Sequence, residues 1–450
     1  MNSIASPSGT CRRQRPPSPS DGASPEPSGR GSEAAAAIDA AAERLRGVVR
    51  CAPSRVAAAL AANAELWRAR AFASRRETVA TIAATSGMAP ALLDESLDAL
   101  LAPLSRAALE TRAAEMPSTS RLYGFVMAGN VAGAGIHELC AALLAGARVI
   151  VKPASAEPVF FANFIGTLRD IDARVGALAE PVQFGRSDTA AMRALWARCD
   201  GGIVAYGDDA SIAALGAARE DRAYLGFPSR LSGALVMADV VAAPAAADAV
   251  AAALARDVTL FEQRGCLSPH HVFVAGRAGA GAARGLAARL ARALEVLARR
   301  LPPARLPLEA AAAIRAQRER VRWRALALRG AAPASPTPDD EAVALWEGDG
   351  LGWTAIYDRD AGFCPSPGYR TVVVSWLEDL AELGSRLGAV AGRLEAFALV
   401  APPNQRKELA STLRALGVWY VCEPGQMQSP PLEWPHGGDA FIEMLRDAAR

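Results

Sequence analysis

The stretch through Ser32 is rich in Ser, Pro, Gly and Arg and nearly devoid of apolar positions; it cannot bury enough surface to offset chain entropy and is expected to be a disordered tail. From Glu33 to about Met116, Ala, Leu and Arg recur with helical spacing, as in Ala58, Leu60, Ala61, Leu66 and Trp67, without strand-like alternation, which predicts a helical lead-in. At Leu122 the pattern changes. Short apolar runs at 122–128, 149–151, 182–184 and 203–206 read as strands, and the intervening segments (133–146, 157–174, and those opening at Asp188 and Asp208) read as helices. A run at 234–237, an Ala-rich helix to about Asp257, a strand at 271–274 and a helix over 279–300 continue the alternation. Pro302-Pro303 and 331–340 read as loops, followed by strands at 342–346, 352–357, 371–375, 396–400 and 418–421, with helices around the fourth, then a Pro-rich tail and a short helix over 439–450.

Repeated units of this length require parallel strands joined by crossover helices. The expected fold class is α/β, with two doubly wound parallel-sheet domains behind the helical lead-in. The expected boundaries are 1–32 for the tail, 33–228 for the lead-in and first domain, 229–423 for a second domain carrying Cys266, and 424–450 for the C-terminal tail and helix.

Composition narrows the functional class. With 450 residues, 51% of them hydrophobic, the chain can bury substantial cores. Charges of both signs are interspersed and sum to only +2, so no nucleic-acid partner is expected. Seven scattered cysteines without a Cys-x-x-Cys pair suit a reducing compartment, and four histidines without a His-Glu-x-x-His pattern give no basis for a metal site; none is expected. No apolar core follows the basic residues near Arg12, and no run of about eighteen uncharged apolar residues occurs, so neither a secretory signal nor a membrane span is expected, and a cytoplasmic location is.

Candidate chemistry lies at the ends of the predicted strands. Cys266 follows Gly265 on a turn between an apolar, helix-like segment and a strand, where a thiol is either an inert packing group or an accessible nucleophile. Gly129-Asn130-Val131-Ala132-Gly133-Ala134-Gly135 joins a strand to a helix; Glu138 stands where a dinucleotide fingerprint needs a small residue, and Asn130 reads either as an N-cap or as an oxyanion donor. Lys152 ends a buried strand, where open α/β sheets bind ligands. Gly207-Asp208 repeats the strand-turn-helix pattern, with Asp208 most simply an N-cap. His270 and His271 read either as ordinary strand residues or as positive charge beside Cys266.

Taken in order, Asn130, Val151-Lys152-Pro153, Tyr206-Gly207-Asp208 and Gln263-Arg264-Gly265-Cys266-Leu267-Ser268-Pro269 resemble the aldehyde dehydrogenase superfamily, and within it the LuxC-like acyl-CoA reductases. The ending Pro424-Gly425-Gln426-Met427-Gln428-Ser429-Pro430-Pro431-Leu432-Glu433-Trp434 is also similar to that family's. The resemblance implies a nicotinamide-binding first domain, a catalytic second domain, and NADPH-dependent reduction of a fatty acyl thioester, carried on CoA or acyl carrier protein, to the aldehyde through an acyl-Cys266 intermediate. Asn130 and the Cys266 backbone N–H would stabilise the oxyanion, Lys152 would bind the adenosine ribose or its phosphate, and Ser155, Gly207 and Asp208 would complete the cofactor site. Ser155 stands where many NAD-using relatives carry a Glu, which favours NADPH; Glu157 is close by. Tyr224 stands where aldehyde-oxidising relatives carry a basic Glu, which leaves Glu262 as the nearby carboxylate in sequence. Partners consistent with this reading are the thioester, a second copy of the chain, or an acyl-activating enzyme. The alternatives are a short-chain acylating dehydrogenase, acyl transfer without reduction, and a non-catalytic partner retaining the fold.

Overall fold

The computed structural model describes residues 30–447 apart from 220, 278 and 331–341; most of the expected disordered tail and the loop 331–340 lie outside the described residues. Helices Arg30–Arg46, Pro53–Arg68, Ala73–Ser86, Pro90–Leu101 and Arg106–Glu115 form the lead-in, the first of them opening inside the segment assigned to the tail. Pro53 and Pro90 sit at first helical positions, where the missing N–H costs nothing.

Strands β1 (Leu122–Val126), β2 (Arg148–Lys152), β3 (Ala179–Pro181), β4 (Gly202–Tyr206) and β5 (Tyr224–Phe227) form an all-parallel sheet in the order β3-β2-β1-β4-β5. Strands β6 (Leu231–Met237), β7 (Pro269–Ala275), β8 (Val343–Glu347), β9 (Thr354–Asp358), β10 (Thr371–Leu377), β11 (Leu394–Val400) and β12 (Tyr420–Cys422) form the second, in the order β12-β11-β6-β7-β10-β9-β8. Every pairing there is parallel except β8 with β9. Both sheets are covered on two faces, and β1, β4, β7, β9 and β11 are buried throughout; β1 and β4 accordingly read as continuous apolar runs, while β7, β9 and β11 bury His270, His271, Thr354, Asp358 and Glu395 among their apolar residues.

Several elements depart from the expected pattern for physical reasons. The third strand is Ala179–Pro181, not 182–184; Val182 and Phe184 are apolar because they are buried beyond the strand's end. β5 is a strand without a local strand signal, since only Phe227 of its four residues is buried. The helix expected from Gly133 begins at Ile136, because Gly133 and Gly135 take φ of +78° and +91°, and a Cβ on them would lie 2.7 Å from Leu100 and 2.9 Å from Tyr206. Helix Leu308–Gly330 has no apolar stripe to announce it; it is tied down by Arg318, whose guanidinium donates to Thr354 Oγ1 and to the Gly350 and Trp353 carbonyls at 2.7–2.9 Å.

Helix Pro244–Thr259 runs into a kink in which Phe261, Glu262 and Gln263 all have φ between +53° and +57°. Each such residue costs roughly 1–2 kcal/mol outside glycine, and the surroundings hold each one. Ser96 Oγ accepts from Phe261 N at 3.0 Å; Glu262 pairs with Arg370 at 2.6 Å, both side chains essentially inaccessible; Gln263 bonds the Pro269 and Thr371 carbonyls and the Thr371 N–H at 2.7–2.8 Å. Glu262→Ala leaves the Arg370 guanidinium buried without its counter-charge and should destabilise the protein by about 3–5 kcal/mol. Chemical denaturation of wild type and variant measures this, and a loss below about 1 kcal/mol would mean that the pair behaves as a solvated one.

Candidate active site

The kink delivers Cys266 to a turn between helix Pro244–Thr259 and β7, half-buried. Its carbonyl accepts from Ser232 Oγ at 2.6 Å, while Ser268 N donates to the Gly265 carbonyl and Gln428 Nε2 to Ser268 Oγ. From the first sheet, Asn130, in the turn after β1, donates its Nδ2–H to the Arg264 carbonyl at 2.7 Å. Asn130 is not an N-cap: Gly135 holds that position, with no side-chain cap bond. The turn after β1 of the first sheet is thus tied to the turn that carries the thiol ahead of β7 in the second.

A histidine foreseen in no role stands beside that thiol. His436 Nε2 lies 3.8 Å from Cys266 Sγ, and Nδ1 lies 2.9 Å from Glu138 Oε1. The imidazole is stacked between Phe227 at 4.3 Å and Trp434 at 4.4 Å, and Tyr206 stacks on Phe227 at 4.8 Å. Burial disfavours charge on His436, but the Glu138 carboxylate and the neighbouring thiol outweigh it and raise its pKa well above 6.5. For Glu138, burial pushes up and the His436 cation pulls further down, to about 2. The Tyr206 hydroxyl, buried without a well-formed hydrogen bond, is pushed up by burial and by the Glu138 charge. A cavity of about 460 Å³ opens on the other side of this pair, walled by Met116, Ala141, Leu432, Phe441 and Arg446 as well as Glu138 and His436. The sequence signals are faint: Glu138 stands where a dinucleotide fingerprint needs a small residue, and His436 lies about 300 residues from it.

The other histidines are elsewhere. His270 Nδ1 meets Ser366 Oγ and His271 Nε2 meets Ser375 Oγ, and burial lowers their pKa values to about 4 and about 3, so they are neutral strand residues and lend Cys266 no positive charge. Tyr224 turns away, its hydroxyl donating to the Ile212 carbonyl at 2.8 Å with its ring against Trp196; Phe227 is the residue of β5 that reaches His436. Glu262 is committed to Arg370 and the Ala304 N–H.

At the strand ends of the first sheet, Lys152 is buried, has no ion pair among the described residues, and lies over the Phe184 ring at 5.3 Å; burial, then the Arg186 charge, lowers its pKa. Ser155 is exposed at the tip of the following turn, and Glu157 is drawn inward, accepting from Val159 N and Phe160 N at 3.1 and 2.8 Å. Asp208 caps helix Asp209–Ala217 through Ser211 N and Oγ, and Arg186 donates to that same Ser211 Oγ. A Cβ on Gly207 would sit in ordinary van der Waals contact with Ser211 at 3.4 Å, so nothing packs tightly against that turn. A buried lysine with no ion pair among the described residues, exposed hydroxyl and arginine groups and a glycine turn form a donor set that fits an anionic dinucleotide.

Solved structures of the same architecture include an NAD-dependent benzaldehyde dehydrogenase from Corynebacterium glutamicum (14% identity, 89% of this chain and 87% of that one, TM-score 0.61). An oxidoreductase from Marinobacter aquaeolei (14%, 88% and 83%, 0.67) and an aldehyde dehydrogenase from Brucella melitensis biovar abortus 2308 (15%, 88% and 82%, 0.64) share it too. The protein has the aldehyde dehydrogenase fold. More specifically, residues 113–447 match the family described as Acyl-CoA reductase (LuxC), and the chain belongs to that family. No curated protein matches it. Family and fold make it an oxidoreductase forming aldehydes from acyl groups with a nicotinamide cofactor, and no described helix is long and apolar enough to cross a membrane.

The Glu138–His436 pair makes stability depend on pH in a defined window. Glu138, lowered from 4.5, stabilises the fold above that value and ceases to do so as pH falls toward about 2; His436, raised from 6.5, stabilises below 6.5 and ceases as pH rises through its elevated pKa. The contribution is therefore complete between pH 4.5 and 6.5. Melting curves of wild type and Glu138→Gln across pH should differ most inside that window, and a pH-independent gap would show that the two side chains are not ion-paired.

Proposed function

We propose that the protein reduces a fatty acyl thioester to the aldehyde with NADPH, through an acyl-Cys266 intermediate. The observation that carries this reading is a half-buried thiol on a turn of the second sheet that Asn130, from the first, grips through the Arg264 carbonyl two residues before it. Cys266 attacks the thioester carbonyl, the carrier thiol leaves, and the acyl group remains on sulfur. One Asn130 N–H is spent on Arg264; the amide's second N–H and the Cys266 backbone N–H are the donors for the tetrahedral oxyanion. The nicotinamide, when bound, supplies the hydride.

Lys152, Ser155 and Gly207 hold the cofactor, with Asp208 positioning the helix that follows. The preference for NADPH rests on charge. Ser155 brings no carboxylate, Glu157 is turned into the helix N-terminus, and Lys152 with Arg186 leaves the strand ends electropositive toward a 2′-phosphate. The preference for reduction over acid release rests on the lack of a base from β5: Tyr224 faces Ile212, and its burial raises its pKa to about 12.

The decisive experiment offers acyl-CoA and acyl carrier protein thioesters of graded chain length with NADPH or NADH, following cofactor oxidation and the acyl adduct. Long-chain substrates with NADPH should give aldehyde, and Cys266→Ala should fold yet form no adduct. An adduct without cofactor consumption would make the protein an acyl transferase; strong NADH preference would overturn the charge argument. Asn130→Ala should slow turnover roughly a hundredfold, and a mild effect would reduce Asn130 to a tether of the Arg264 carbonyl.

A further inference from the structure

We propose that His436, oriented by Glu138, is the acid that hands a proton to the departing carrier thiol when Cys266 takes the acyl group. This rests on the acyl-Cys266 reading and assigns the proton traffic which that reading leaves open. The geometry is that of a nucleophile, a proton carrier and an orienting carboxylate in line: Sγ to Nε2 at 3.8 Å, Nδ1 to Oε1 at 2.9 Å. With Nδ1–H donated to Glu138, the ring's other nitrogen is fixed toward sulfur. The flanking Phe227 and Trp434 rings, at 13° and 27° to the imidazole plane, prevent it from rotating out of that line.

As Cys266 attacks, its thiol proton passes to Nε2, and the buried Glu138 carboxylate holds that proton on the imidazole. The chemistry then balances without an outside acid. The thiolate forms the new S–C bond to the acyl carbon, and the tetrahedral adduct collapses. The bond from that carbon to the carrier sulfur breaks, and the imidazolium Nε2–H passes to that sulfur, giving acyl-Cys266, neutral His436 and the free carrier thiol. Once the carrier thiol has left, one solvent proton returns His436 to the imidazolium through the cavity that Glu138 and His436 both line, and reduction later releases sulfur as a thiolate beside it.

The same arrangement protects the intermediate. A neutral His436 could otherwise activate water against the acyl group, but the Glu138 carboxylate favours the imidazolium, which has no lone pair free to take a proton from water. Other charged and titratable groups facing the imidazole do not replace Glu138. His137, on the same helix as Glu138, is kept neutral by burial and is bound to the Leu100 carbonyl; Glu395 on β11 accepts from Gly437 N and pairs with Arg230 at 3.4 Å; the Tyr206 hydroxyl, pushed well above its ordinary pKa by burial, stays neutral.

Acylation can be tested without cofactor, by following release of CoA from acyl-CoA and the acyl-Cys266 adduct by mass spectrometry in wild type, His436→Gln and Glu138→Gln. His436→Gln should slow CoA release roughly a hundredfold or more but should slow acylation by an acyl thiophenol ester far less, because that more acidic thiol departs without a proton. Glu138→Gln should move the alkaline limb of the acylation profile to lower pH, since the imidazolium loses its supporting charge; this readout stands if the His436 variant does not fold. Equal slowing with both esters, or an unmoved pH limb, would make the pair structural and overturn the proposal. A wild type that forms no adduct with any thioester would instead remove the acyl-enzyme reading itself.

Discussion

The buried ion pair between Glu262 and Arg370 is the constraint on which the reactive turn depends. Three consecutive residues with side chains are held in left-handed backbone just before Cys266, a conformation that the local sequence disfavours and that persists only because partners from distant segments specify it. Ser96 from the helical lead-in, Ala304 from the loop after helix Gly279–Arg300, and Arg370 and Thr371 at the start of β10 each fix one backbone or side-chain group. The thiol thereby belongs to a rigid turn, and rigidity is what positions a nucleophile to a fraction of an ångström.

Around this turn the molecule divides its tasks between two sheets and a returning tail. The first sheet contributes strand ends carrying Asn130, Lys152 and Gly207, all at carboxyl ends, where parallel strands open toward ligands. The second contributes the thiol. The C-terminal segment closes the assembly: buried Asp257, at the end of helix Pro244–Thr259, accepts from Gly425 N and Met427 N, and the chain then runs on to insert Trp434 and His436 beside β5. Glu138 comes from the first helix after β1, so the thiol, imidazole and carboxylate arrive from three separate parts of the chain.

Low-dielectric surroundings give this trio its chemical character. A carboxylate and an imidazole exposed to water would titrate near their ordinary values; here each is nearly inaccessible, and each is held in its charged form chiefly by the other, with Cys266 adding to the pull on His436. The stacked rings exclude water from the imidazole faces while leaving its two nitrogens directed at sulfur and carboxylate.

The sequence by itself determined the alternation of helix and strand, the order of the main elements, and Cys266 with Asn130 and Lys152 as candidates, because apolar runs, turn residues and strand-end motifs are local signals. It also carried the family resemblance, which is a matter of linear order. Helix Leu308–Gly330 escaped it because Arg318 holds that helix through side-chain hydrogen bonds, and β5 because its buried pattern is only partial. Only the tertiary structure decided that Tyr224 turns away, that Glu262 is consumed by Arg370, and that His270 and His271 are neutral packing groups. It alone decided that His436 meets Glu138, since a contact spanning 298 positions leaves no trace in local spacing and exists only once both sheets and the tail have packed.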